Sequence, residues 1–310
     1  MKSTVQTPID IESLVANPFA GYPAPAPRAD PLFELAKLGA NELEKLLLQE
    51  EQADCPLVHR FAPGIYIREV TLPAGTLAIG HRHLTEHANI LLKGRVLILN
   101  SDGTGSEVAA PFMYVSPPGR KVVYALEQVV WQNIYATTET DVEKLEAEFL
   151  DKSDSWIHDH ELRQQAARLM HEVDRADYLD AIAQFGLNRA QAEAIAKNED
   201  DQVRMPHGSY KFLIGSSAIH GRGVMATASI EEGEVIGAAR IEGMRTPLGR
   251  YTNHAAKPNA VMVRGGEFIW LVATRAIAGC QGGQHGEEIT IDYRRAFEAA
   301  GWTRSLLCQQ

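Results

Sequence analysis

Ser217-Ala-Ile-His-Gly-Arg-Gly-Val224, Arg250-Tyr-Thr-Asn-His-Ala-Ala-Lys-Pro-Asn259 and Gly286-Glu-Glu-Ile-Thr-Ile-Asp-Tyr293 stand in this order in the last third of a 310-residue chain. The first joins a strand to a turn. It places Gly221 and Gly223 where a backbone must approach another group closely. Read singly, Asn253-His254 is a turn and Tyr293 a core residue at the end of a strand. What separates the three from ordinary turn chemistry is that they share specific side chains in a fixed order.

Upstream of these segments the pattern changes twice. Residues 56–138 hold short β-branched and aromatic runs, among them Ile65–Val70, Arg95–Leu99 and Val129–Tyr135, with Gly or Pro between them. This predicts an antiparallel sandwich or barrel. Residues 139–203 read as a helical connector, with helices over 139–150, 159–173, 176–185 and 189–197. The last two, broken at Gly186, resemble a helix-turn-helix. Glu193 and Asn198-Glu-Asp-Asp201 carry the wrong charge for phosphate contacts, so nucleic acid is not the expected partner. Residues 1–55 form an N-terminal arm and a helix. Asn17 to Pro27 should be extended, and Asp30-Pro31 should open a helix with Leu35, Leu38, Leu43, Leu46 and Leu47 on one face. Residues 301–310 are a tail.

Within the β-rich segment, Gly75-x5-His81-x-His83-x3-His87-x6-Gly94 brings three imidazoles into one short stretch. Residues two apart on a strand point to one face, and imidazoles around an open position suit zinc or iron. The spacing resembles the first cupin motif, with His87 in the glutamate position. The second cupin motif keeps the turn Pro117-Pro-Gly119 but has Val122 where a histidine would fall. Two readings stay open: a divalent metal held by His81, His83 and His87, or a cupin-like scaffold with a hydrogen-bonded histidine cluster.

The three C-terminal segments resemble the SET domain, the fold of most protein lysine methyltransferases. Val224 to Ile236 adds the family's strand, turn and Ile-x2-Gly-Glu-x-Ile pattern. The resemblance implies S-adenosylmethionine as cofactor, held by Gly221, Arg222, Gly223, Asn253 and the backbone at His254. It implies Tyr293 as the catalytic tyrosine lining a methyl-transfer channel, and a pseudoknot between the last two segments. The sequence departs from the family in three places. Ala255-Ala256 replaces Ser-Cys. The cysteine-rich cap is missing, which leaves Phe297, Trp302 or another subunit to close the site. The stretch from Arg240 to Arg250 is short where the family carries a substrate-groove insert. In its brevity the domain looks like viral and bacterial SET proteins, and its pairing with a cupin-like barrel is associated with bacteriophage and bacterial genomes.

The net charge of −10 is uneven: residues 1–203 carry 18 basic and 31 acidic side chains, residues 204–300 carry 11 and 9. An acidic body disfavours non-specific nucleic-acid binding. No apolar run approaches a membrane span, and residues 1–16 do not read as a signal peptide. Cys55, Cys280 and Cys308 form no CxxC pair, which predicts a reducing compartment. The expected architecture is mainly β with α: an N-terminal cupin-like antiparallel β-barrel (56–138), a helical connector (139–203) and a β-rich SET domain (204–300). The leading expectation is an S-adenosylmethionine-dependent protein lysine N-methyltransferase, cytoplasmic, oligomeric through the barrel, acting on a lysine side chain. The alternatives are a non-catalytic, virion-associated assembly protein and a metal-dependent cupin enzyme.

Overall fold

Alternating burial builds the first half of the structure. A computed structural model of the chain describes residues 31–304; the proline-rich arm, the Asp30 cap and Cys308 lie outside the described residues. Where one helix was expected there are two, α1 (Pro31–Ala36) and α2 (Ala40–Leu47). They break at Gly39, whose φ is 78°. The break shifts the phase of the apolar face. Phe33, Ala36 and Leu43 pack against Leu97, Leu99 and Val122, while Leu35, Leu38 and Leu46 are exposed.

The strands that follow are β1 (Leu57–Ala62), β2 (Ile65–Leu72), β3 (Leu77–Ile79), β4 (Arg82–His83), β5 (His87–Lys93), β6 (Arg95–Leu99), β7 (Gly105–Ala109), β8 (Phe112–Ser116), β9 (Val122–Ala125) and β10 (Val129–Ala136). In β1 and β10 every second residue is buried, the mark of a sheet with one face on a core. The strands do not close into a barrel. They form a sheet ordered β1-β2-β10-β5-β8 and a second ordered β3-β9-β6-β7. Leu72, Leu91, Val96, Val108 and Trp131 belong to one core cluster contributed by both sheets. The expected barrel is thus a sandwich with free edges at β7 and β8. β7, with its sequence Gly-Ser-Glu-Val-Ala, has one buried residue, Val108, and left no apolar run to read.

Helices α3 (Val142–Phe149), α4 (Asp154–Met170), α5 (Glu172–Ala183) and α6 (Arg189–Lys197) make the connector, with the short strand β11 (Leu150–Asp151) after α3. The last part contains β12 (Gly208–Tyr210), β13 (Phe212–Ser216), β14 (Arg222–Ala226), β15 (Val235–Ile241), β16 (Met244–Arg245), α7 (Pro247–Tyr251), β17 (Asn253–His254), β18 (Ala260–Gly265), β19 (Phe268–Ala273), β20 (Glu288–Ile291) and α8 (Tyr293–Ala299). Strand β12 pairs with β1 and so extends the larger sheet of the sandwich. The others form two four-stranded sheets, β13-β14-β20-β17 and β16-β15-β19-β18. Val224, Ile230, Leu248, Leu271 and Ile289 fill the core they share.

The two β-rich parts are joined by a common core. Phe61, Tyr66 and Tyr135 of the sandwich, Leu145 and Phe149 of α3, and Leu213 and Met225 of the C-terminal part form one buried cluster. Backbone bonds reinforce it: Leu57 and Thr227 pair, and Cys55 N–H donates to Cys280 O. Among the described residues no helix is long and apolar enough to cross a membrane. Leu145 is fully buried at this joint. Leu145→Ala should lower the unfolding free energy by about 3 kcal/mol, the cost of a cavity at a buried leucine, as measured by urea denaturation.

Candidate functional site

Asn253 gathers the three sequence segments. Its Nδ2 lies 3.0 Å from Ser217 Oγ, 3.2 Å from His220 O, 3.0 Å from Arg222 O and 2.8 Å from Glu288 Oε1. Two N–H bonds are shared among these oxygens. Ser217 Oγ donates to the Glu288 carboxylate at 2.8 Å and accepts from the backbone N–H groups of Ile219 and His220. Burial raises the Glu288 carboxyl above its ordinary value, and the hydrogen bonds from Asn253 and Ser217 pull it partly back.

The two glycines of the turn have different physical reasons. A Cβ at Gly223 would stand 2.3 Å from Glu288 Oε1 and 3.0 Å from Ser217 Cβ, so the close approach of Glu288 requires glycine. Gly221 has φ 56° and nothing within 4 Å of its Cβ position, so the turn is left-handed with an open outer side. Arg222 points elsewhere. Its guanidinium reaches Glu143 at 2.7 Å and Asp141 at 3.1 Å at the start of α3, and lies over the Tyr251 ring.

The second and third segments lie side by side. Strand β17 is parallel to β20, with Asn253 opposite Thr290 and His254 opposite Ile291. Asn259 donates to Glu288 O at 2.9 Å and accepts from Thr290 N–H at 2.8 Å. His254 Nδ1 accepts from Tyr293 N–H at 3.1 Å. The neutral ring therefore carries its proton on Nε2 and donates it to Asp177 Oδ2 at 2.9 Å. Arg294 grips the same carboxylate at 2.8 Å and Asp180 at 2.6 Å. Arg294 first, and then His254, hold Asp177 down to about 2. Its folded pKa is depressed, so the stability it contributes is present above the ordinary carboxylate range and is lost as pH falls through about 2.

Tyr293 opens α8 and is half-buried. Its hydroxyl donates to Thr252 O at 3.3 Å. Its ring meets those of Tyr178 at 5.9 Å, His254 at 5.3 Å and Phe297 at 6.0 Å, and Phe297 in turn meets Trp302. Burial, then Tyr178 and Glu288, push the phenol above its ordinary value, so it stays protonated at neutral pH.

Of the residues expected at a cofactor, Gly221, Gly223, Asn253, His254 and Tyr293 come together, and the Arg222 side chain does not join them. The side chains of Asn253 and His254 are engaged within the protein. Gly221 O accepts from Ser217 N–H at 2.9 Å, and the outer side of the turn at Gly221 is open. Sequence reasoning missed the roles of Ser217 and Glu288, although both stand in the quoted segments. It also missed Asp177 and Tyr178, because contacts reaching from α5 to β17 and α8 leave no local signal.

The three histidines are placed differently. His83 Nδ1 lies 2.6 Å from the Tyr135 hydroxyl, and its ring stacks on His87 at 4.0 Å and 14°. His81 turns edge-on to Trp156 at 5.1 Å. Ring-nitrogen lone pairs lie in the ring plane, so the stacked rings of His83 and His87 direct theirs side by side, and the three do not converge on one point. The cause is local: β3 ends at Ile79 and β4 begins at Arg82, so His81 and His83 do not share a strand. His81 and His83 face a cavity inside the sandwich, and His87 faces a separate surface pocket with Phe149. Burial pushes His81 down to about 3, His83 to about 2 and His87 to about 4, so all three are neutral at pH 7. Among the described residues, no three His, Cys, Asp or Glu side chains are grouped to hold a metal ion.

The chain matches no known protein-family model, and no curated protein is similar to it in sequence. Among solved structures it is similar to a cupin superfamily protein from Desulfitobacterium hafniense, at 10% identity and a TM-score of 0.23, covering 30% of this chain and 85% of that one. A cupin-2 domain protein from Shewanella frigidimarina has 18% identity and a TM-score of 0.22, covering 30% and 90%. Ectoine synthase from P. lautus has 15% identity and a TM-score of 0.25, covering 34% and 85%.

Asn253→Ala should leave the half-buried Glu288 carboxyl with fewer donors and cost about 2 kcal/mol in urea denaturation, as expected for unsatisfied polar groups. Asp177→Asn, at a partly exposed pair, should cost about 1 kcal/mol or less.

Proposed function

We propose that the chain is an S-adenosylmethionine-dependent protein lysine methyltransferase. In this reading the site lies in a SET-like C-terminal part and the sandwich is a cupin-like accessory part. One observation carries the proposal: the three segments of the family pattern meet in a single hydrogen-bonded knot at Asn253, with Tyr293 beside it in an aromatic wall. The residues fit such a cofactor. The left-handed turn at Gly221 leaves open space on its outer side, and Tyr178, Tyr293, Phe297 and Trp302 supply an aromatic wall for an adenine.

S-adenosylmethionine, when bound, supplies an electrophilic methyl group. The chain's own residues handle the acceptor. The Tyr293 hydroxyl donates its hydrogen bond to Thr252 O, which leaves its oxygen able to accept an N–H from a lysine amine and orient it. Desolvation in a buried channel disfavours an ammonium ion and so promotes the neutral amine that can attack. Tyr178 stands where it would narrow the approach to Tyr293 and takes part of the role of the missing groove insert.

A second reading puts the chemistry in the sandwich, as a metal-dependent cupin-type enzyme; the cavity faced by His81 and His83 favours it. Methyl labelling separates the two. Wild-type protein should transfer labelled methyl from S-adenosylmethionine to lysine in a protein mixture, and Tyr293→Phe should reduce the rate about a hundredfold, the usual scale for losing one positioned polar group. The rate should rise from pH 7 to pH 9 as the acceptor lysine, with its pKa of about 10.4, deprotonates. A wild-type protein that labels nothing would set this proposal aside in favour of the second reading.

A further inference from the structure

The cavity inside the sandwich has a volume of about 490 Å³, within the roughly 300–1,000 Å³ range of small-molecule sites. Its walls are mostly apolar, with Leu57, Val70, Leu72, Val123 and Trp131 among them. It is not made by the sandwich alone. Trp156 of α4 and the loop Cys280–Gly283, which leads into β20, close one side. It shares no residue with the Asn253 site.

Two buried donors that line this cavity have no partner. Arg68 Nε and Trp156 Nε1 are buried with no hydrogen-bond partner, and Trp156 is 5% exposed. Lys121 also lines the cavity, and among the described residues it forms no ion pair; its ammonium stands 5.8 Å from the centre of the Tyr114 ring. Burial pushes it down to about 8. Buried Glu146, outside the cavity lining, is paired with Lys152 and also attracts Arg68 without hydrogen-bonding it, and the acids in the lining itself are engaged or exposed. Glu44 is bound to Arg120 and Ser153, and Glu50 and Glu51 are exposed. The buried acceptor capacity of Asn89 is already used, since its Oδ1 accepts from Trp131 and Asn133.

Buried donors without acceptors are costly unless a partner supplies oxygens. We infer that this cavity is a binding site for a small organic acid, with its carboxylate among Arg68, Lys121 and Trp156 and its apolar body against Leu72, Val123 and Trp131. A guanidinium edge, an indole N–H and an ammonium match the acceptor-only character of a carboxylate. The apolar walls exclude a bare inorganic anion as the best occupant.

The test is calorimetric titration of the full chain with benzoate, hexanoate, benzamide, hexanamide and phenyl phosphate. Benzoate or hexanoate should bind saturably at one site per chain, at least about tenfold more tightly than its amide, the scale of one charged hydrogen bond. Arg68→Gln should lower the carboxylate affinity about tenfold or more, and Trp156→Phe should lower it by less, with circular dichroism confirming the fold. If Arg68→Gln does not fold, Lys121→Gln takes its place with the same expectation. Equal binding of acid and amide, no saturable binding of either acid, tighter binding of phenyl phosphate, or undiminished binding by a folded Arg68→Gln would each overturn the assignment.

Discussion

The architecture of the C-terminal part depends on one buried amide. Asn253 places two N–H bonds among oxygens of Ser217, His220, Arg222 and Glu288. These residues lie more than thirty positions from Asn253 in the chain, and only folding brings them together. Because the amide is buried, its donors cannot fall back on water, and loss of any partner costs the desolvation of what remains. The same constraint sets the glycine at 223, where Glu288 leaves no room for a Cβ. It also sets the parallel pairing of β17 with β20, which brings Tyr293 to the edge of the knot.

Two further connections tie this knot to the rest of the chain. The cluster of Tyr66, Tyr135, Leu145, Phe149, Leu213 and Met225 makes the sandwich, α3 and the first strands of the C-terminal part share one core. Helix α5 is fastened over the site by Asp177, held by both Arg294 and His254, while Tyr178 meets the ring of Tyr293. The connector therefore forms part of the site's wall.

Local signals were legible and long-range ones were not. The short β-branched runs of residues 56–138 became strands because alternation is a property of each run by itself. Helix α6 spans Arg189–Lys197 as its composition suggests, with Asn188 and Gln191 forming a capping box. The leucine face of residues 35–47 was misread because Gly39 breaks the helix and shifts its phase. The barrel was misread as closed because alternation says which face is buried and nothing about whether edge strands meet. The histidines were legible as a group but not in orientation, since two non-strand residues between β3 and β4 turn His81 toward Trp156. Asn253, His254 and Tyr293 were singled out because they lie in recognisable segments. Asp177 was not, because its contacts reach from α5 to β17 and α8, and the donors Arg68 and Trp156 were not, because burial without a partner is a property of three-dimensional packing.

The most direct test of the account is hydrogen–deuterium exchange of the full chain with and without S-adenosylmethionine. The account predicts that backbone amides of 217–224, 253–259 and 288–293 gain protection together, because one hydrogen-bonded knot holds all three beside the ligand face at Gly221. Protection confined to the sandwich, or no change at saturating S-adenosylmethionine, would contradict it.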